Sequence, residues 1–412
     1  MTTAHRRHAG EGGINKYQTA AGVRYAILFY RPDENGHPKR AQKRGFLTSP
    51  AAAKELRKTL LDIESNTYVK PSRGSLEGWL DTWVDGLRLR PSTVASYRRN
   101  LRLHVVPKIG GLKMEAITGS RLTKLYKDLE ASGSMTNRGG AGGGLSARTV
   151  RYIHTILSSA LKDAVLEGLL VTNPADKAKP PTASEASAPE IHPWSPEQAR
   201  AFLAWAWEHR PEHAPMWSLL LSTGMRRGEL IGLRWADIDF TNGTVSVRRT
   251  VGVVKDGTTK VAVGPTKTGG SRTINIGATD VAMLRKWKAD RGTAGLALVR
   301  PGVYVFGNLD GSTPNPDAVA NAFARQVAAA QISLGSRDEP NVDAIPKVRL
   351  HDLRHTHATA LLRANVPVKV VSERLGHTDV MTTLRVYQHV MPGMQEEAAN
   401  TWASLMGAPL GV

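Results

Sequence analysis

A chain of 412 residues is long enough for two or three domains, and 41% hydrophobic content with no apolar run near eighteen residues reads as globular rather than membrane-embedded. The absence of cysteine excludes disulfides, thiolate nucleophiles and cysteine-ligated zinc. Lysine and arginine number 55 against 36 acidic residues, a net charge of +19, which points to a polyanionic partner, nucleic acid ahead of membrane, because no basic amphipathic segment with a strong apolar face stands out.

The first residues, Met1 to His8, lack the apolar stretch of a secretory signal, so a cytoplasmic location is expected. Residues 1–70 form a small basic module. Gly22 to Tyr30 is β-rich, Pro32 to Gly36 is a turn, and Lys39 to Phe46 is a basic return strand; a helix from Pro50 to Glu64 follows, with Ser49 as its cap. A short sheet packed on one helix can lay Arg24, Lys39, Arg40, Lys43 and Arg44 in a DNA groove.

Residues 75–174 turn helical. Leu76, Leu80, Trp83 and Leu87 keep helical spacing, Pro91 opens a second helix through Leu101, a third covers Gly119 to Glu130, and a fourth runs from Ser146 to Glu167. The fourth puts Val150, Ile153, Ile156, Leu157 and Leu161 inside and Arg148, Arg151 and Lys162 outside; with Arg98 and Arg99, the outer arginines are DNA-contact candidates. The Gly-rich run from Gly133 to Gly144 lacks a following Lys-Ser/Thr, so it reads as a flexible loop and not a P-loop. Residues 175–194 are proline-rich and aperiodic, a linker that would let two basic domains close around a duplex.

The last domain, residues 195–412, reads as mainly helical with a small antiparallel sheet. Ser195 caps a helix to Trp207, and another from Ala214 to Leu221 leads into Thr223-Gly224-Met225-Arg226-Arg227-Gly228-Glu229-Leu230. Strands follow at Thr244–Val254, Thr259–Val263 and Arg272–Ile276, the last two joined by a tip carrying Lys267. Helices are expected at Asp280–Arg291 and Pro316–Gln331, through the His351 stretch, and at Pro367–Leu375, Met381–Tyr387 and Gly393–Leu405.

Several separated residues here suit one phosphate. On the helix through Leu350 to Leu362, Leu353, Thr356/His357 and Ala360/Leu361 form an inward stripe, while His351, Arg354 and His355 share a neighbouring face. Guanidinium grips two phosphate oxygens at once, and imidazole moves a proton near neutral pH. Arg226 stands before Glu229, which can orient it. Lys267 is a flexible amine, Leu375-Gly376-His377 adds another nitrogen donor after a helix end, and Tyr387 follows. The i, i+4 pair His351 and His355 also has the spacing of helical zinc ligands, but the intervening general base is absent and no third ligand follows.

The order Arg226, Lys267, His351-x-x-Arg354, His377, Tyr387, within Thr-Gly-Met-Arg-Arg-Gly-Glu-Leu, Thr-Lys-Thr-Gly, His-Asp-Leu-Arg-His-Thr-His-Ala and Leu-Gly-His, resembles the tyrosine recombinase, or phage integrase, family. The resemblance is strong over Ser195 to Val390. Residues 75–174 are similar to the family's helical core-binding domain, and residues 1–70 to the three-stranded arm-binding domain of some integrases. It implies an α+β multidomain fold: a sheet-plus-helix amino-terminal domain, an all-α core-binding bundle and a mainly α catalytic domain with a small antiparallel sheet.

The resemblance also implies an activity: cleavage and rejoining of DNA through a 3′-phosphotyrosyl link, integrating and excising a mobile element without metal, ATP or other cofactor. Arg226 and Arg354 would hold the scissile phosphate, His351 take the proton of the nucleophile Tyr387, His377 add a hydrogen bond and Lys267 protonate the departing 5′ oxygen, with Glu229 behind Arg226. Implied partners are double-stranded DNA at attachment sites, three further copies in a tetramer on DNA, an excisionase or other directionality factor and a host DNA-bending protein; the implied place is the nucleoid. The alternatives are a Xer-like recombinase, which would not need the extra amino-terminal domain, a type IB topoisomerase, and an architectural DNA-binding protein that does not cleave.

Overall fold

The computed structural model describes residues 12–32, 37–65, 74–133, 143–187, 192–256, 258–266, 270–334, 345–387 and 394–406. The architecture is α+β: helices predominate and the strands form small antiparallel sheets. The chain gathers into two units, Met1–Leu89 with Tyr97–Ala188, and Arg90–Ser96 with Pro189–Val412.

In the first unit, β1 (Gly13–Thr19), β2 (Gly22–Pro32) and β3 (Pro38–Phe46) form a meander in that order. Strand alternation gives the sheet two faces. Ile14, Tyr25, Ile27, Phe29, Ala41 and Phe46 pack on α1 (Ser49–Glu64) through Ala52, Leu56, Leu60 and Ile63. The helix cap is Thr48, whose hydroxyl accepts from the Ala51 amide, and not the expected Ser49: Ser49 already lies inside the first turn. Register puts Arg24, Arg40 and Arg44 on the opposite face, since Ala26 pairs with Arg44 and Tyr30 with Arg40. Gly45, at φ +102°, is the extra residue between the Ala26–Arg44 and Tyr25–Phe46 pairs and so turns Phe46 to the helix. The expected turn at Asp33–Gly36 lies outside the described residues.

The helices of this part of the chain are α2 (Leu76–Gly86), α3 (Pro91–Asn100), whose residues to Ser96 fall in the second unit, α4 (Gly119–Ser132) and α5 (Ala147–Leu166). Ser75, Thr118 and Ser146 each accept an amide three residues on, which starts α2, α4 and α5. Where the expected second helix stops at Leu101, the chain continues as a wider π-helical segment, Leu101–Gly110, with Pro107 inside it. The apolar positions anticipated on the fourth helix are buried. Part of the expected linker is stitched to α4 and α5: the Thr123 hydroxyl accepts from the Lys179 amide at 2.9 Å, and Arg151 donates to the Pro181 carbonyl at 2.6 Å. Residues 134–142 of the Gly-rich run lie outside the described residues.

The second unit is built on α6 (Pro196–His209), α7 (Ala214–Thr223), α8 (Arg227–Ile231), α9 (Ala278–Ala294), α10 (Pro316–Leu334), α11 (Asp352–Arg363), α12 (Val368–Leu375), α13 (Val380–Tyr387) and α14 (Met394–Met406). Its strands are β4 (Ile238–Asp239), β5 (Thr244–Val247), β6 (Arg249–Asp256), β7 (Thr258–Pro265) and β8 (Arg272–Asn275). The single strand expected over Thr244–Val254 is two strands broken at Arg248: β5 joins β4 and β8 in one sheet, and β6 pairs only with β7. The last two expected strands therefore do not pair with each other: Val247 pairs with Arg272 and Arg249 with Pro265. Lys267 itself lies outside the described residues.

Aromatic packing closes this core. Trp194, expected in the linker, is 2% exposed with its ring tilted against Phe202 at 4.9 Å between centroids, while Phe323 meets Trp217 at 5.1 Å. Both indoles are satisfied, Trp194 by the Pro346 carbonyl and Trp217 by Gln326. We expect Trp194→Ala to lower the stability of this unit by about 3–5 kcal/mol in urea unfolding; a loss under about 1 kcal/mol would show that Trp194 belongs to the linker and not to the core.

Candidate active site

The site begins with two glycines that only glycine can be. Gly224 ends α7 at φ +63°, and a Cβ there would stand 2.6 Å from the His357 ring; Gly376 ends α12 at φ +68°, where a Cβ would stand 2.8 Å from the Arg272 guanidinium. Their carbonyls face inward. Gly224 accepts from Arg354 Nη1 at 2.8 Å, and Gly376 accepts from Arg226 Nη2 at 3.4 Å.

Glu229, on α8 with its side chain 1% exposed, accepts the Arg226 amide at 3.0 Å and guanidinium at 2.9 Å, and takes Arg272 through both Nη atoms at 3.2 and 2.7 Å. Burial alone would raise this carboxyl; the hydrogen bonds and charge of Arg272, then those of Arg226, outweigh it and hold Glu229 below the ordinary range. The neighbouring Arg227 turns away to the Pro316 carbonyl, at 2.9 Å, which leaves Arg226 as the arginine of the site.

Arg354 is 4% exposed on α11, a helix buried nearly all round rather than along one stripe. Its Nη2 donates to His377 Nε2 at 2.8 Å, so His377 carries its proton on Nδ1 and donates it to Thr383 Oγ1 at 2.7 Å. Burial, then Arg226, lowers Arg354 to about 9, which keeps it charged at neutral pH. Burial, then Arg354, brings His377 to about 4.

Tyr387 closes α13, 3% exposed, packed with Ala358, Leu362, Val371 and Leu375. Its hydroxyl lies 2.7 Å from Nδ1 of His355. His351, the residue expected to take the phenol's proton, does not hold this bond: it precedes the first turn of α11, exposed, with its ring edge-on to His355 at 5.4 Å between centroids. One helical turn further on, His355 points back along α11 to the phenol. Burial raises Tyr387 to about 12, with Arg354 pulling the other way, and burial followed by His351 lowers His355 to about 4. The phenol therefore donates and Nδ1 accepts.

The structure thus brings together Arg226, Glu229, Arg354, His377 and Tyr387, and adds three residues that sequence reasoning did not assign: His355, Arg272 and Thr383. Arg272 is in phase with buried Ile274 on β8, the one signal that could have found it, and Thr383 stands one turn before Tyr387 on the same face of α13. Among the DNA-contact candidates, Arg24, Arg40 and Arg44 share the free face of the amino-terminal sheet. Lys43 and Lys39 are on the helix side by register, Lys43 ion-paired to Glu55 of α1. Arg98 bonds Asp85 and Arg151 the Pro181 carbonyl, while Arg99 and Arg148 are exposed. No helix among the described residues is long and apolar enough to cross a membrane, and none of their His, Asp and Glu side chains form a group of three placed for a metal.

The chain belongs to the phage integrase family, the tyrosine recombinases. The family's own model matches residues 195–393, and the model of the phage integrase N-terminal SAM-like domain matches residues 75–129. The chain is 30% identical over 268 residues to the ICEBs1 integrase of Bacillus subtilis, covering 64% of this chain and 67% of that one. It is 27% identical to a tyrosine recombinase XerC-like protein of Caldanaerobacter subterraneus, over 90% of this chain and 93% of that one. A XerC-like relative of nearly full length means that the amino-terminal segment does not by itself separate integrase from Xer-like recombinases. In fold the chain is similar to the Tn1549 transposon integrase in complex with a circular intermediate DNA, TM-score 0.63 at 20% identity over 76% of this chain and 95% of that one. It is also similar to a lambda integrase tetramer bound to a Holliday junction, TM-score 0.54 at 18% identity over 92% and 96%.

The histidines give a pH dependence. His355, His357 and His377 all lie at about 4, below the 6.5 of the free side chain. The unfolded chain therefore binds more protons between those values, so stability is complete above about pH 6.5 and falls as pH drops toward 4. Melting temperature of the DNA-free protein should decline through that window; a flat profile down to pH 4 would contradict the buried, neutral histidines.

Proposed function

We propose that this chain is a site-specific recombinase that cuts DNA with Tyr387, forming a 3′-phosphotyrosyl link and a free 5′ hydroxyl, and reseals by attack of another strand's 5′ hydroxyl. The observation that carries the reading is the convergence of residues far apart in sequence: Arg354 donates to His377, Arg226 donates to the carbonyl of Gly376 beside His377, and Tyr387 bonds His355 beside Arg354. The two guanidinium groups supply what a phosphodiester needs as charge builds on its oxygens, a kind of stabilisation worth roughly 2.7–4 kcal/mol per donor at other sites. His377 accepts from Arg354 and so holds that guanidinium in place, Lys267 gives a proton to the departing 5′ oxygen, and Glu229 positions Arg226. Because the phosphotyrosyl bond conserves the energy of the phosphodiester, resealing requires no ATP; the arginines take the place a metal would fill.

The substrate would be the attachment sites of a mobile element, integrated and excised by four copies acting on two duplexes, with an excisionase and a host DNA-bending protein setting direction. We assign residues 1–70 to arm-type sites, 75–174 and 195–412 to the core site, and 175–194 to the linker between them. Arg24, Arg40 and Arg44 form the arm-reading face, and Arg98, Arg99, Arg148 and Arg151 the backbone contacts of the bundle. Binding two sites at once raises the effective concentration at the second. The relatives' names, the ICEBs1 integrase and integrases of phages, support the mobile-element reading over a topoisomerase.

Tyr387→Phe should bind a core-site duplex with wild-type affinity and form no covalent adduct on a nicked suicide substrate in a denaturing gel, while wild type forms one at a 3′ phosphate. Lost binding in the variant, or an adduct from it, would remove Tyr387 as nucleophile. Arg40→Ala with Arg44→Ala should weaken arm-site binding more than tenfold and flatten its salt dependence by about two contacts' worth of slope, leaving core-site binding intact. Lys39→Ala with Lys43→Ala should change both less than threefold; equal loss at arm and core sites in either pair would sink the arm assignment.

A further inference from the structure

We infer that His355, and not His351, is the catalytic residue that accepts the Tyr387 proton, leaving His351 to face the phosphate; this rests on the recombinase reading above. Three observations carry it. The Tyr387 hydroxyl lies 2.7 Å from His355 Nδ1. The two rings stand 5.6 Å apart between centroids, and Tyr387 is itself packed among Ala358, Leu362, Val371 and Leu375, so the core holds the phenol against half-buried His355. His351 is exposed at the start of α11, edge-on to His355, where a ligand arriving from outside would meet it first.

The step balances. The phenol O–H bond breaks and its proton moves to Nδ1 of His355, which already carries a proton on Nε2 and becomes imidazolium. The freed oxygen pair bonds to phosphorus, the bond from phosphorus to the 5′ oxygen breaks, and that oxygen takes a proton from Lys267. Resealing runs the same transfers backwards, and Tyr387 recovers its proton from His355. With the phenol at about 12 and the imidazole at about 4, the resting pair stays neutral, so the phenolate forms only as its oxygen bonds to phosphorus. The sequence permits this because His355 follows Arg354 directly: the two side chains leave α11 about 100° apart, one toward the carbonyl of Gly224 and the other toward α13.

The test is single-turnover cleavage of a nicked core-site duplex against pH by wild type, His355→Ala and His355→Asn, with duplex binding and melting temperature measured on each. Asn places an acceptor oxygen near the Nδ1 position but takes up no proton. The assignment predicts that both variants bind DNA normally and cleave at least about 10²-fold more slowly, with a rate that rises with pH as hydroxide replaces the lost base. It also predicts that a duplex with sulfur in place of the bridging 5′ oxygen, which needs no proton to leave, does not restore them. Cleavage by His355→Ala within threefold of wild type, recovery in His355→Asn, or rescue by the sulfur duplex would each overturn it. Should His355→Ala fail to fold, His355→Asn carries the same comparison. A wild type that forms no adduct overturns the recombinase reading itself, an outcome distinct from an active wild type matched by its His355 variants.

Discussion

One buried carboxylate sets the geometry of this site. Glu229 holds Arg226 by its amide and its guanidinium and Arg272 by both of its Nη atoms. Taking such charges out of water is favourable only if nearly every donor finds an acceptor. Here the carbonyls of Gly224, Gly376 and Arg374 complete the set. Carbonyls satisfy a guanidinium without cancelling its charge. Three arginines therefore face one carboxylate, and the excess positive charge is held rigidly where a phosphate would complete it.

The neutral histidines follow from the same field. Arg354 donates to His377 and can do so only while Nε2 is unprotonated, and Thr383, fully buried, accepts the proton on the other ring nitrogen and fixes the same tautomer. His355 is kept neutral by burial, His351 and Arg354, so it stands as an acceptor before any DNA is present. A phosphodiester would bring the anion that this arrangement lacks. On the proposed reading, buried and protonated Tyr387 would be a nucleophile in reserve, which suits an enzyme that must not cut before it is assembled on its target.

Much of this was legible in the sequence, for definable reasons. Arg226, Glu229, His351, Arg354, His377 and Tyr387 sit in short motifs whose spacing is local, and helix α11 is fixed by its own periodicity. What was not legible depends on contacts between distant segments. That His355 rather than His351 meets the phenol is decided by how α13 packs on α11 and α12, about which neither motif carries information. Arg272 looked like the first residue of a strand until its pairing with Val247 placed it beside Glu229. The Thr244–Val254 run is uniformly β-prone, and only the exchange of partners at Arg248 splits it between two sheets. In the amino-terminal sheet, alternation alone separates Arg40 and Arg44 from Lys39 and Lys43, but the shift at Gly45 had to be seen before Phe46 could be given its face.

The most direct measurement is a structure of the Tyr387→Phe protein on an uncut core-site duplex. The account predicts the non-bridging oxygens of the scissile phosphate within hydrogen-bond distance of Arg226 and Arg354, with Glu229 still bound to both Arg226 and Arg272 and the rings of residue 387 and His355 in contact. A phosphate seated away from the two arginines, or a Glu229 that releases them when DNA binds, would contradict a site built in advance around that carboxylate.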